Sequence, residues 1–438
     1  MLRNLRYLLR LTKAFISKFK IIILLSVIFG FLFFLAIFFV IPRFFNKTNE
    51  RIGITGRFTT NDIPQSILLN ISSGLTSIND SGKPIGALAK SFETTDNGKT
   101  WVFELKDNIY WQDGEKITSK SIDYNFEDLT LDNSDPKKII FKLKSPFSPF
   151  PVIVSKPIFK KGLLGNGLWQ VSNISLSSNY VESLLLKDKK GNTKTFKFYP
   201  SEDSTKTAFK LGQIDKISDL IDPSPFTNWK TAKFQKNIDE HQVVAVFFNT
   251  KEGGPLSDKN IRQGLYYAID KSSLGERAVS SIAPTSWAYN SQTKPYDYDP
   301  KKAKDLLSDF VKKTAPITLL TTPSLLDNAQ KIVNDWQKIG VKAQVQVTLT
   351  IPTDYQALLA IYDIPQDPDQ YTTWHSTQIE TNITRYSNPR IDKLLEDGRT
   401  EVDQEKRKKI YLDFQRFLSE DAPAAFLYHP AYYTVTKK

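Results

Sequence analysis

The chain contains no cysteine. That excludes a disulfide scaffold, a thiolate metal site and a lipid-modified cysteine as tether. Histidine is nearly as scarce. His241, His375 and His429 lie far apart and supply no i, i+4 pair for a zinc site on a helix. No Gly-x-Ser-x-Gly elbow and no phosphate-cradling glycine loop occurs, so the common hydrolase and nucleotide-binding signatures are absent. No catalytic residue, cofactor or bound metal is expected. Acidic residues are missing from the start of the chain, where none precedes Glu50.

That stretch holds a basic flank and then an apolar run. Arg3, Arg6, Arg10, Lys13, Lys18 and Lys20 precede residues 21–41, which carry no charge. At about 1.5 Å per residue, a helix of this length matches the roughly 30 Å hydrocarbon core of a bilayer. The positive-inside tendency keeps residues 1–20 cytoplasmic and places everything after Arg43 outside. A cleaved signal peptide is the competing reading, but its apolar core of about 7–15 residues ends in small side chains. Here Phe38, Phe39, Val40 and Ile41 stand at that point. Residues 21–41 are therefore read as an uncleaved signal anchor in the lipid bilayer, and the protein as a single-pass component of the cell membrane.

The formal charge of +12 includes the six basic residues of the flank, which leaves 53 basic against 47 acidic residues outside. They alternate in sign, as on a solvated surface with some affinity for anionic polymers, and no nucleic-acid signature accompanies them. Almost 400 residues follow the anchor, more than one core normally organises, so two or three lobes are expected.

Patterning along this part alternates between strand and helix. Asn97-Gly98 between Phe92 and Trp101, Phe103, Leu105 marks a hairpin, and Asp113-Gly114 a second turn. Thr118 is expected to cap a helix bearing Ile122 and Phe126. After a turn at Gly191-Asn192, Phe196 and Phe198 have strand spacing. Ser204 or Thr205 opens a helix that Gly212 ends, and a short strand at Ile214 follows. The apolar run 243–248 suits a buried strand. Ser257 or Asp258, then Asp299-Pro300, start two helices. Residues 317–320, the helix ending at Gly340, and the alternation from Val341 to Val347 form strand, helix, strand, the crossover that a parallel pair needs. Helices over 389–398 and 404–419 and a final strand over 424–428 complete an α/β chain.

Four blocks resemble the family 5 extracellular solute-binding proteins, the peptide and nickel receptors of ABC importers. The first is Leu88-Ala89-Lys90-Ser91-Phe92 with Asn97-Gly98-Lys99-Thr100-Trp101 and Trp111-Gln112-Asp113-Gly114. The second is Phe248-Asn249-Thr250, Pro255-Leu256-Ser257-Asp258 and Tyr267-Ala268-Ile269-Asp270-Lys271. The third is Tyr298-Asp299-Pro300-Lys301-Lys302-Ala303, and the fourth Tyr386-Ser387-Asn388-Pro389-Arg390-Ile391. Gly165-Asn166-Gly167-Leu168-Trp169 is similar to a lobe-connecting segment. The chain is shorter than usual members between Asn125 and Pro146 and between Leu274 and Pro295, both beside pocket-forming regions.

The resemblance implies a two-lobed, periplasmic-binding-protein-like (type II) α/β fold, preceded by the transmembrane helix. The first lobe is expected over 46–242, with a subdomain at about 75–164 and completion by 422–438, and the second lobe over 243–421. It further implies a monomeric receptor that captures peptides or another small ligand between its lobes and delivers them to ABC permease subunits. The family's ammonium-binding acid falls in the stretch 362–369, where Asp363 and Asp367 are both candidates, Asp363 preferred. Trp287, Tyr289, Tyr371 and Trp374 are expected to wall the cleft, since large apolar faces with polar tips suit such a site. The rival readings are a ligand sensor or polymer receptor on the same fold, and an anchored hydrolase.

Overall fold

Residues 243–248 are apolar at every position because they form the middle of a sheet covered on both faces, where all six are fully buried. The computed structural model describes residues 2–45, 47–313 and 316–438. Helix α1 (Leu2–Phe45) contains the apolar run and has one non-helical residue, Phe19. Strand β1 (Asn49–Thr55) follows, then α2 (Gln65–Ile71) and the small hairpin β2 (Thr76–Ile78) and β3 (Pro84–Gly86). Strands β4 (Ala89–Thr94), β5 (Thr100–Leu105), β6 (Leu129–Asp132) and β7 (Lys138–Leu143) precede the one-turn helix α3 (Phe150–Ile153). Next come β8 (Gln170–Ser177), β9 (Tyr180–Lys187), β10 (Thr193–Tyr199), α4 (Glu202–Lys210), β11 (Lys216–Leu220) and β12 (Ala232–Ile238).

The second half comprises β13 (Gln242–Phe248), α5 (Lys259–Tyr267), β14 (Glu276–Arg277), α6 (Pro300–Lys313), β15 (Ile317–Thr321), α7 (Leu326–Lys338) and β16 (Ala343–Val347). It ends with β17 (Ala357–Asp363), α8 (Tyr371–Trp374), α9 (Pro389–Thr400), α10 (Gln404–Asp421), β18 (Ala424–His429) and β19 (Ala431–Lys437).

These strands make a seven-stranded sheet in the order β12-β19-β11-β1-β10-β9-β8, a six-stranded sheet β14-β18-β13-β17-β15-β16, and a four-stranded sheet β4-β5-β7-β6. Each has its own apolar cluster. The four-stranded sheet closes over Leu75, Trp101, Phe103, Phe141 and Phe150, and the six-stranded sheet buries Trp336 and Leu265 on one face and Phe247 and Trp374 on the other. The expected crossover is present, with β15 and β16 parallel on either side of α7.

Three local expectations are corrected. Thr118 does not start a helix through Ile122 and Phe126. A single 3-10 turn, Ser119–Ser121, is followed by extended chain, because the Tyr124 hydroxyl accepts from Leu75 N and donates to Val154 O, which pins the segment across the subdomain. Helix α4 is capped by Ser201, not Ser204 or Thr205; the Ser201 side chain accepts from Ser204 N. The chain end is two strands: β18 joins the six-stranded sheet beside β13, and only β19 joins the seven-stranded sheet beside β11 and β12. Of residues 422–438, expected as a whole in the first lobe, those before Pro430 therefore pair within the second sheet.

Candidate functional site at the hinge

The two large sheets are connected twice, between β12 and β13 and between β18 and β19. Asp239 N donates to Pro430 O at 2.9 Å across these crossings, which continue one antiparallel ladder from sheet to sheet. Only these two hydrogen-bonded strands join the sheets at this point, the arrangement about which lobes hinge. Register shows what faces the joint. Strand β11 ends beside Tyr433 just after the crossing, with β1 parallel to it, and β17 ends with Asp363 opposite Gln242. The carboxyl ends of parallel strands from both sheets thus meet at the hinge, where open α/β sheets place their ligands.

Strand β17 arrives there with one edge free. It pairs with β13 along its whole length but with β15 only over Ala357–Leu359. Ile364 N donates to His241 O and Asn249 N to Gln356 O, so even-numbered residues bond towards β13 and odd-numbered ones away from it. The backbone groups of Ile361 and the N–H of Asp363 consequently point to the open side, with no partner among the described residues.

The Asp363 carboxylate closes this edge. Gln242 Nε2 donates to Asp363 Oδ1 at 2.6 Å, while Gln242 Oε1 accepts from the Tyr432 hydroxyl at 2.6 Å and the Gln242 carbonyl accepts from His429 Nδ1 at 2.7 Å. The amide is thereby fixed and leaves Oδ2 of Asp363 without a partner among the described residues. Burial pushes the Tyr432 phenol up to about 12, reinforced by the charges of Asp239, Asp363 and Asp219. Asp219 stands at φ 64° in a bulge of β11, and burial, then the neighbouring Asp239, raises its carboxyl above the usual range. One acid from each sheet and one from the crossing make the hinge floor negative. Beside it lies a cavity of 250 Å³ lined from both sheets, by Ile221 and Ile238 on one side and Val244, Ile361 and Tyr428 on the other.

The other sequence candidates lie elsewhere. Asp367 is 8% exposed and receives both Arg407 Nη1, at 2.8 Å, and Nη2, so its charge is spent inside the second lobe. Trp374 was expected to wall the cleft, but it is a core residue, fully buried with Nε1 donating to Gln370 Oε1 at 2.8 Å. Trp287 is half-buried, 6.3 Å from the Tyr411 ring, and its N donates to Ser81 O of the subdomain. Tyr289 is half-buried in the same cluster. Tyr371 stacks on His375 at 4.0 Å and under the Arg399 guanidinium at 4.1 Å, and Arg399 also covers Phe147 of the subdomain. These aromatics pack on the face of the six-stranded sheet opposite Ile361 and Asp363. Gln242, Tyr432, Asp239 and Asp219 have no motif that would have marked them; their position follows only from register.

Two mixed α/β lobes, a two-strand hinge and a polar floor between them define a hinged binding protein. The sequence profile of the bacterial extracellular solute-binding proteins, family 5 Middle, matches residues 83–378, and the chain belongs to that family. It is 24% identical to the oligopeptide-binding protein AppA of Bacillus subtilis over 85% of this chain and 83% of the relative. Its fold is similar to NikZ from Campylobacter jejuni in complex with Ni(L-His), with a TM-score of 0.74 and 22% identity over 89% of this chain and 94% of that one. It is similar also to Bacillus subtilis AppA in complex with a nonapeptide, with a TM-score of 0.69 and 20% identity over 90% and 95%.

Proposed function

We propose that the chain is the membrane-tethered peptide receptor of an ABC importer. The observation that carries the ligand class is the open edge of β17 ending in Asp363. An extended peptide pairs with a free strand edge through its backbone, and the carboxylate at the end of that edge answers the peptide's N-terminal ammonium. The negative floor adds attraction for the same charge. Relatives named for oligopeptide and dipeptide binding support this reading.

Helix α1 acts as a signal anchor. Its segment Leu11–Phe38 is long and apolar enough to cross a membrane, and the basic flank sets the orientation. Ligand binding closes the lobes about the two crossings, and the closed form docks on the permease, so occupancy is converted into transport by population shift.

The test is thermal unfolding of ligand-stripped protein with peptides that have free or acetylated N-termini. A free-amine peptide at a hundredfold excess over its Kd should add about 2.7 kcal/mol of stability, and acetylation should remove most of it. Equal stabilisation by both would refute the role of Asp363, and stabilisation only by sugars or metal chelates would refute the peptide class. Membrane fractionation and protease accessibility of intact cells test the tether, which predicts that the lobes are digested from outside.

A further inference from the structure

The two ends of the seven-stranded sheet differ in charge. The hinge end is acidic, as described above. At the other end β1 begins, and the register collects there the starts of β8, β10, β11 and β12 and the ends of β9 and β19: Asn49 pairs with Thr193, Thr193 with Lys187, Lys187 with Gln170, and Lys437 with Ala232. Lys187, Lys189, Lys190, Lys210, Lys230 and Lys438 are all exposed on it. None of these six has an acidic partner among the described residues. The three acids of this end are engaged within it. Asp215 binds Arg51 at 2.7 Å and Lys437 at 3.3 Å, Glu50 lies 3.7 Å from Lys216, and Asp188 accepts from Lys190 N and Asn192 N. Two leucines project among the lysines. Leu168, 84% exposed, shares a groove with Lys187 and Lys189, and Leu211, 68% exposed, follows Lys210.

We propose that this end of the first lobe is a bilayer-docking surface, its lysines resting on anionic phospholipid headgroups of the leaflet from which α1 emerges while Leu168 and Leu211 enter the interface. The inference rests on the anchor reading of α1. Only three residues separate Phe45 from Asn49, a reach of about 10 Å at full extension, so the start of β1 is held at the membrane surface. Unpaired lysines and protruding leucines are the side chains that favour such an interface. The acidic hinge lies beyond the seven residues of β1, about 23 Å further out. Charge thus orients the lobe, with lysines attracted to the headgroups and the hinge floor repelled, and the ligand site is presented to the extracytoplasmic medium.

Absence of native cysteine makes the test direct. Full-length Thr231→Cys and Ser324→Cys proteins, labelled with a fluorophore, are reconstituted in phosphatidylcholine vesicles with or without phosphatidylglycerol and a headgroup-borne quencher. The Thr231 probe should be quenched severalfold more than the Ser324 probe when phosphatidylglycerol is present. The contrast should collapse in phosphatidylcholine alone, at high salt, and when Lys189→Glu, Lys190→Glu and Lys210→Glu are combined in a protein whose Tm is unchanged. Equal quenching of both probes in vesicles that carry the protein would overturn the docking surface alone. Failure of the protein to float with either vesicle would overturn the anchor reading and the docking surface with it.

Discussion

Substituting Asp363 and Asp367 separately by Asn should divide binding from stability, although the two acids stand only four residues apart, one at the end of β17 and one in the loop after it. Asp367 and Arg407 are 8% and 6% exposed. Asp367→Asn leaves the buried guanidinium without a counter-charge, with an amide NH2 facing one of its N–H groups and only neutral acceptors among the described residues: the new amide oxygen, the Gly398 carbonyl and the Tyr411 hydroxyl. Breaking one side of a buried pair costs about 3–5 kcal/mol. At about 2–4 °C per kcal/mol for a lobe of this size, the Tm should fall by about 6–20 °C. Asp363 is exposed and its carboxylate is bonded, among the described residues, only to Gln242, so its loss should change stability by less than about 0.5 kcal/mol. A charged hydrogen bond to the ligand is worth about 1.5–3 kcal/mol, so peptide affinity should drop about 10- to 150-fold. Calorimetric titration and thermal unfolding of both variants read the two quantities. A stable Asp367→Asn protein that no longer binds, beside an Asp363→Asn protein that binds normally, would refute the assignment.

Gln242→Ala should release both Asp363 and Tyr432 and weaken peptide binding about fivefold, the equivalent of one hydrogen bond, measured by the same titration. Burial lowers the Lys271 ammonium to about 7, its Nζ donating to the carbonyls of Tyr266 and Ile269. Between about pH 7 and 10 the unfolded chain then holds a proton that the folded chain has released, so stability should rise with pH across that window. Lys271→Met should flatten the rise in Tm against pH; an unaltered slope would assign it to other groups. A Cβ at Gly165 would stand 2.3 Å from the Ile71 carbonyl oxygen, backbone that cannot yield easily. Gly165→Ala should cost about 3 kcal/mol in urea unfolding, and a cost near zero would show that the first lobe and subdomain are not closely joined there.

Where local chemistry decides a structure, reading the residues sufficed. Asn97-Gly98 and Gly191-Asn192 turn hairpins because Asn97, Gly98 and Gly191 take positive φ. Asp258 and Asp299 open helices because their carboxylates accept from the backbone N–H groups of Asn260 and Lys302. The run 243–248 is a buried strand because nothing polar interrupts it. The sequence alone also determined the length of the N-terminal apolar run, its charged flank and the family blocks. Local pattern failed where distant chain competes. Thr118 carries a helix signal, yet Tyr124 is held by Leu75 and Val154.

The site divides in the same way. The family resemblance pointed to the 362–369 stretch and to Asp363 ahead of Asp367, but the residues alone did not show how differently the two acids are surrounded. Only tertiary structure put Arg407, 40 residues away, against one of them and left the other at an open strand edge. The pairing of Gln242 with Tyr432, 190 residues apart, and the gathering of lysines where β1 begins, which needs Ala232 beside Lys437, likewise depend on register between distant segments. Hydrophobic periodicity specifies which face of an element is buried. It contains no term for which partner lies across the ladder, and that partner sets the charge and openness of the hinge.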